Sequence, residues 1–245
     1  MNTVVEVSGL RKTYGSLEAV GGIDLRIGRG EIFGILGHNG AGKTTTVECV
    51  LGTRKADSGS IRVLGLDPIR DRKRLFARVG VQFQESRYQD KLRVSEACRV
   101  AASLYPRVGD WKSLLARFGL AAKEKTCVNE LSGGERQKLS VVLALMNEPE
   151  LIFLDELTTG LDPAARRGIW KYLKELKAAG TTIVLTSHYM DEVEFLCDRI
   201  ALLKEGKIAA QGTPAELIGL HGVKNLEEVF LRYMEKDPEE IQEAV

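Results

Sequence analysis

Residues 31–45 read EIFGILGHNGAGKTT, and this stretch decides the fold. Its first six residues, EIFGIL, are mostly apolar and predict a buried strand. The next eight match the pattern G-x-x-x-x-G-K-[ST], in which glycines let successive backbone N–H groups turn toward phosphate oxygens. A helix that follows the loop adds its positive N-terminal end. The stretch therefore predicts a strand, a phosphate-binding loop and a helix within an α/β domain.

The loop supplies most of the predicted contacts to a nucleotide. Lys43 can reach the outer phosphates, and the hydroxyl of Thr44 can ligate Mg²⁺. We expect nucleotide contacts from Gly37, His38, Asn39, Gly40, Ala41, Gly42, Lys43, Thr44 and Thr45. ATP and Mg²⁺ are therefore the predicted ligands.

A second motif, LIFLDE at 151–156, places two carboxylates at the end of a predicted buried strand. Open parallel sheets bind ligands at the carboxyl edge of their strands. We predict that Asp155 holds Mg²⁺, commonly through water, and that Glu156 polarises the water that attacks the γ-phosphate. The alternative is that the two acids only cap a strand end. Together, the loop and this motif predict a P-loop nucleotide hydrolase or kinase.

The composition is that of an ordinary soluble globular protein. The chain has 245 residues, of which 44% are hydrophobic and 28% charged. Lys and Arg total 35 against 34 Asp and Glu, and the resulting net charge of +1 provides no overall attraction to nucleic acid or to an anionic membrane. The four cysteines form no CxxC pair and are expected to be reduced thiols. The longest apolar run, VVLALM at 141–146, is far shorter than the roughly 20 residues of a transmembrane helix, so we expect no membrane span.

The order of strand and helix patterns predicts a sheet domain with a helical insertion. Predicted strands near the N-terminus span 3–8, 22–27 and 31–36. Residues 85–135 are poor in strand patterns and carry helical spacing, with Ser95 and Asp110 as predicted N-caps. From residue 136 the alternation of helices and strands resumes.

The stretch LSGGERQKLS at 131–140, upstream of LIFLDE, resembles the signature sequence of ATP-binding cassette (ABC) ATPases. Further motifs follow in that family's order, and the resemblance covers essentially the whole chain. They are Tyr14 in RKTYG, Gln84 in VGVQFQ, Asp162 in Gly160-Leu161-Asp162, and His188 in LTSH.

The resemblance implies a role for each of these residues. Tyr14 stacks on adenine, and His188 contacts the γ-phosphate. Gln84 reaches Mg²⁺ and the attacking water, and it couples the catalytic core to the helical lobe. Asp162 belongs to a loop at the contact between two subunits.

The resemblance also implies the architecture. We expect an α/β fold: a P-loop NTPase core with a mixed, mainly parallel sheet and flanking helices, an N-terminal antiparallel β subdomain and an inserted α-helical subdomain. The expected boundaries are 1–84 and 136–220 for the core with its β subdomain, 85–135 for the helical subdomain, and 221–245 for a helical acidic tail.

The turn Ser132-Gly133-Gly134 opens a helix predicted to begin near Glu135, so it can present N–H groups and a hydroxyl to an anion. The resemblance implies that this turn serves another subunit. Two copies, or this chain and a homologous ATPase subunit, pair head to tail, and each turn closes over ATP held by the Lys43 of the other. Hydrolysis then loosens the pair.

Two positions depart from the family pattern. His38 stands where proline or serine is common, at a position that faces away from the phosphates, so we expect little effect. Leu157 replaces the usual proline after Glu156, which restores a backbone N–H and frees φ. The loop around Asp162 is therefore expected to be less rigid.

Three functions compete for a chain with these motifs. The preferred one is the ATPase subunit of an ABC transporter, most similar to bacterial exporters of drugs, antibiotics or lipids, peripheral on the cytoplasmic face of the membrane through separate permease subunits. A soluble ABC ATPase acting on nucleic acid or ribosomes is the alternative, but the chain has one P-loop and near-zero net charge, so no nucleic acid is expected. A module without turnover is disfavoured because Gln84, Glu156 and His188 are all present.

Overall fold

The computed structural model describes residues 3–83 and 88–235, and Gln84 therefore lies outside the described residues. The strands are β1 (Thr3–Tyr14), β2 (Leu17–Gly28), β3 (Ile32–Leu36), β4 (Ser58–Val63), β5 (Val79–Gln82), β6 (Leu151–Asp155), β7 (Thr182–Thr186), β8 (Arg199–Lys204) and β9 (Lys207–Gly212). The helices are α1 (Lys43–Val50), α2 (Arg72–Phe76), α3 (Val94–Ser103), α4 (Trp111–Arg117), α5 (Gly133–Leu145), α6 (Pro163–Ala178), α7 (Met190–Leu196), α8 (Pro214–His221) and α9 (Leu226–Glu235).

The larger sheet has the strand order β5-β6-β7-β3-β8-β9, parallel except for the final antiparallel pair β8-β9. Every residue of β3, β6 and β7 is buried, as expected for central strands of a sheet covered on both faces. Because these strands are parallel, their carboxyl ends lie at one edge. The loop after β3, the carboxylates after β6 and the histidine after β7 therefore meet there.

The smaller sheet has the order β2-β1-β4 and is antiparallel. Alternate residues of β2 are buried, and its apolar side chains pack into one core with those of β3 and α1. This arrangement confirms the predicted combination of a mainly parallel sheet, flanking helices and an N-terminal antiparallel subdomain.

The segment between β5 and β6 carries the helices α3, α4 and α5, whose apolar faces share one core. The prediction that Ser95 caps α3 is wrong. The helix begins at Val94 with Arg93 as its N-cap, and Ser95 is buried with its N–H donated to the carbonyl of Glu124. The predicted cap at Asp110 is confirmed, because its carboxylate accepts two N–H groups from the first turn of α4.

Helix α6 is the longest of the described helices, at 16 residues, and it buries only one face, through Ile169 and Leu173. Pro163 occupies its first turn, and the chain leaves the helix at Gly180, where φ is +98°. Within residues 3–83 and 88–235, no helix has both the length and the apolar character required to cross a lipid bilayer.

Candidate nucleotide-binding site

The loop between β3 and α1 forms one wall of an open cleft of about 420 Å³. The cleft is lined by Tyr14, Leu17, Ala19, His38, Asn39, Gly40, Gly42, Lys43, Thr44, Thr45 and Glu156. Residues from the smaller sheet, the glycine loop and the end of β6 therefore face one space. Most of the predicted phosphate-loop residues lie on this surface. Gly37 and Ala41 support it from behind, since Ala41 is fully buried.

Lys43 occupies the centre of the loop. Its ammonium donates to the carbonyl oxygens of Gly37 at 2.7 Å and His38 at 3.1 Å, so the loop wraps around the charge. Burial lowers the pKa of Lys43, while the nearby carboxylates of Glu156 and Asp155 raise it. A largely buried cation at the floor of a cleft favours an anionic ligand.

Position 42 requires glycine for two reasons: its torsion angle and the close approach of the β2 backbone. Its φ is +98°, and a Cβ atom there would lie 2.4 Å from the carbonyl oxygen of Ala19. At Gly40, where φ is +84°, the space around a Cβ atom is open. The loop is therefore clamped against β2 at Gly42 and exposed at Gly40.

The two carboxylates at the end of β6 have different environments. Asp155 is buried, its carboxylate accepts the hydroxyl hydrogen of Thr186, and burial raises its pKa. Glu156 has φ of +50°, an uncommon backbone conformation for a residue other than glycine. Its N–H donates to the carbonyl and the hydroxyl of Thr186, at 3.2 and 3.1 Å. Thr186 thus holds both acids, a contact that no sequence motif indicated.

Glu156 and His188 are in direct contact, Oε1 to Nε2. The carboxylate is nearly buried, whereas the imidazole is about one-third exposed at the edge of the site. The structure therefore brings together the residue predicted to polarise water and the residue predicted to sense the γ-phosphate. Lys43 lies close enough to Glu156 for their charges to interact.

Tyr14 lies at the mouth of the cleft and is 39% exposed. The guanidinium of Arg54 lies 5.2 Å from its ring centroid, and the ammonium of Lys12 lies 5.6 Å from it. The ring is therefore oriented by cations while remaining accessible, as an aromatic platform for a planar base requires.

The signature turn lies outside this cleft. Ser132 is the N-cap of α5, which begins at Gly133, two residues before the predicted start at Glu135. Ser132 and Gly133 are exposed, and neither they nor Gly134 line the cleft around Lys43. Asp162 also lies outside the cleft lining, where its carboxylate accepts the N–H groups of Ala164 and Ala165 and caps α6.

A second contact that the sequence did not predict joins α5 to the backbone directly after β6. The side-chain amide of Gln137 donates to the carbonyl of Leu157 at 2.9 Å and to that of Glu156 at 3.4 Å. Leu157 itself is only 3% exposed and packs in the core. Leucine at this position therefore packs in the core directly after Glu156, and the expectation of a less rigid loop around Asp162 stays a prediction.

Fold and site together define a P-loop nucleotide-binding protein. A family model described as "ABC transporter" matches residues 20–159, more than half of the chain. The chain therefore belongs to the ABC transporter family.

Two relatives show the similarity in more detail. The chain is 37% identical over 222 residues to a daunorubicin resistance ATP-binding protein of Streptomyces coeruleorubidus, covering 88% of this chain and 70% of the relative. It is 40% identical over 223 residues to the Nod factor export ATP-binding protein I of Ralstonia nicotianae, covering 88% of this chain and 68% of the relative.

Solved structures share the fold. An ATP-binding subunit of an ABC transporter matches with a TM-score of 0.88 at 27% identity, over 95% of this chain and 100% of the other. A dimeric cassette in a post-hydrolysis state with ADP and phosphate matches with a TM-score of 0.78 at 24% identity, over 85% of this chain and 98% of the other.

Proposed function

We propose that this protein is the ATP-hydrolysing subunit of a membrane transporter, most similar to exporters. The observation that carries the proposal is the contact between Glu156 and His188, beside the cleft that contains the Lys43 ammonium. A P-loop with a carboxylate at its edge is the arrangement of a nucleotide hydrolase. The names of the two relatives, drug resistance and Nod factor export, support the exporter class.

ATP and Mg²⁺ fit the residues present. The ammonium of Lys43 faces the phosphates, and the exposed Thr44 in the first turn of α1 offers a hydroxyl. Asp155 is an oxygen donor of the kind that Mg²⁺ prefers, and Gln84 is proposed as a further one. Bound Mg²⁺ would neutralise charge on the phosphates. Tyr14 would stack on the adenine ring.

The protein groups divide the work of hydrolysis. Glu156 accepts a hydrogen bond from the attacking water, and His188 contacts the γ-phosphate. The φ of +50° at Glu156 and the bonds of its N–H to Thr186 fix the backbone of this residue at the edge of the site. Lys43 stabilises the charge on the outer phosphates, and the products are ADP and phosphate.

The working unit is a head-to-tail pair of ATPase subunits, with a second copy or a homologue as the partner. The support is geometric: the Ser132-Gly133-Gly134 turn is exposed and lies outside the lining of the cleft around Lys43. Such a turn at a helix N-terminus can bind the phosphates held by a partner. We place Asp162 at the same proposed contact between the two subunits. ATP then binds the two subunits together until hydrolysis.

The transporter partner is one or more separate permease subunits, which hold this chain at the cytoplasmic face of the membrane. We assign residues 85–135 as the helical subdomain that meets the permease, residues 1–84 and 136–220 as the core, and 221–245 as the tail. The exposed apolar side chains of Val100 in α3 and of Leu104 at its C-terminal end support that placement.

The function is tested with purified protein and Mg-ATP. Wild type should release phosphate, and Glu156→Gln should bind ATP, stop hydrolysing it and elute as a dimer on size exclusion. Glu205→Gln is the matched control, because Glu205 also has φ of +50° but lies exposed at the β8-β9 turn. A Glu156→Gln protein that hydrolyses ATP at the wild-type rate would contradict the role of this residue.

Membrane coupling is tested separately. Affinity purification from solubilised membranes should recover a permease, and crosslinks from it should map near residues 84–104. Crosslinks confined to the C-terminal tail would contradict the placement of the permease on the helical subdomain.

A further inference from the structure

A buried carboxylate is hydrogen-bonded to Ser187, the residue that precedes His188. Glu192 in α7 is 3% exposed. One of its oxygens, Oε1, accepts the indole N–H of Trp170 at 2.8 Å. The other, Oε2, accepts the hydroxyl hydrogen of Ser187 at 2.5 Å. Neither oxygen is used by the catalytic roles assigned above, and a buried charged group requires such partners.

Ser187 links Glu192 to the backbone around His188. Its oxygen also accepts the backbone N–H of Tyr189 at 3.0 Å, so one hydroxyl spans the histidine from the residue before it to the residue after it. The ring of Tyr189 is packed beneath the guanidinium of Arg166, with 3.9 Å between the guanidinium carbon and the ring centroid. The backbone on both sides of His188 is therefore restrained.

Glu192 also contacts a second helix, α6, through Trp170. Trp170 belongs to α6, the helix that follows the loop after Glu156, and its ring stacks on Phe195 with 5.3 Å between centroids. Glu192 thus connects α6 to the histidine segment through Trp170 and Ser187. The carboxylate satisfies the two donors with separate oxygens, and a buried donor left unpaired carries a desolvation cost.

We propose that Glu192 is a positioning residue that holds His188 against Glu156 through Ser187. The proposal rests on the ATPase function proposed above. Burial raises the pKa of the Glu192 carboxyl, whereas hydrogen bonds from Ser187, Trp170 and Thr158 and the charge of Arg166 lower it. In the proposed function His188 acts during hydrolysis, and the glycine loop around Lys43 does not depend on it. Loss of Glu192 should therefore lower kcat more than it weakens ATP binding.

The test compares kcat with the dissociation constant for ATP. Glu192→Ala and Ser187→Ala should each lower kcat about tenfold or more, because small displacements of catalytic groups are costly. ATP affinity should change less than about threefold, since Lys43 and the glycine loop are untouched. Glu192→Gln should restore most of the rate, because its carbonyl still accepts the Trp170 N–H and its amide can donate to Ser187. Glu194→Ala, on the exposed face of the same helix, should keep the wild-type rate.

A double-mutant cycle distinguishes positioning from a structural role. In a His188→Ala background, Glu192→Ala should cause no further loss of kcat, because the group that it positions is gone. Equal losses in both backgrounds would overturn the proposal, as would a Ser187→Ala protein with wild-type kcat. A wild-type protein without Mg-ATP hydrolysis would instead overturn the proposed function. Ser187→Ala removes a single oxygen and keeps the test valid if Glu192→Ala fails to fold.

Discussion

The side-chain carbonyl of Gln82 accepts a hydrogen bond from the backbone N–H of Asp155 at 3.0 Å. Its amide nitrogen donates to the carbonyl of Phe83 at 2.7 Å. Gln82 is the last residue of β5 and pairs with Leu154 of β6, so the amide continues the ladder one position beyond the strand. The strand that ends in the proposed Mg²⁺ ligand is therefore held by the strand that leads to Gln84.

Replacement of Gln82 by leucine should destabilise the fold by about 1–3 kcal/mol, because the buried N–H of Asp155 loses its acceptor. The free energy of unfolding from urea denaturation measures this. Gln211→Leu is the matched control, since Gln211 is exposed in β9, and its effect should stay within about 0.5 kcal/mol. Equal stability of Gln82→Leu and wild type would show that the amide bridge is dispensable.

Gly42→Ala should lower stability more than Gly180→Ala, although φ is +98° at both positions. The shared torsional strain is about 1–2 kcal/mol. Only at Gly42 does the new Cβ meet a backbone oxygen, that of Ala19 at 2.4 Å. Thermal unfolding measures the difference, and titration with a fluorescent ATP analogue should show weaker binding for Gly42→Ala alone. Equal losses of stability would mean that the loop can move away from β2.

Glu150 should contribute stability that is lost in acid. Its carboxylate accepts from Arg78 at 2.6 Å and from Arg29 at 3.1 Å, and these contacts, that of Arg78 first, lower its pKa below the ordinary 4.5. A lowered folded-state pKa means that the contribution is present above the unfolded pKa and disappears as pH falls through the folded value. Urea denaturation at several pH values should show that the free energy of unfolding falls less steeply with acid for Glu150→Gln than for wild type.

An Arg78→Ala background provides the control for Glu150, because it removes the first cause of the pKa shift. In the Arg78→Ala background, Glu150→Gln should change the pH dependence of the free energy of unfolding less than it does in wild type. An unchanged difference between the two backgrounds would show that the pH dependence of Glu150 does not come from its contact with Arg78.

Asp162→Ala should lower the melting temperature by a few degrees, because the carboxylate caps α6 by accepting the N–H groups of Ala164 and Ala165. Asp162→Asn should retain the cap and most of the stability, since asparagine is an equally good N-cap. Both variants remove the negative charge. A loss of stability in both would therefore attribute the effect to charge and not to the cap.

The predictions that the structure confirms came from motifs that are contiguous in the sequence. The strand, loop and helix around Lys43 follow from one local pattern, and so does the buried strand before Asp155. The Ser95 cap was predicted wrongly because its N–H is taken by Glu124, a residue distant along the chain. Capping preference is a local signal, and here a tertiary contact prevailed over it.

The amino-acid sequence by itself determined the class of fold, the family and the identity of the residues predicted to meet the nucleotide, because each of these depends on the order and spacing of neighbouring residues. Only the tertiary structure decided how those residues are supported. Gln82, Thr186 and Gln137 lie within the motif stretches but had no predicted role, and Glu192 lies outside them; their partners belong to other parts of the chain. Such contacts depend on strand register and helix packing, which local spacing does not encode.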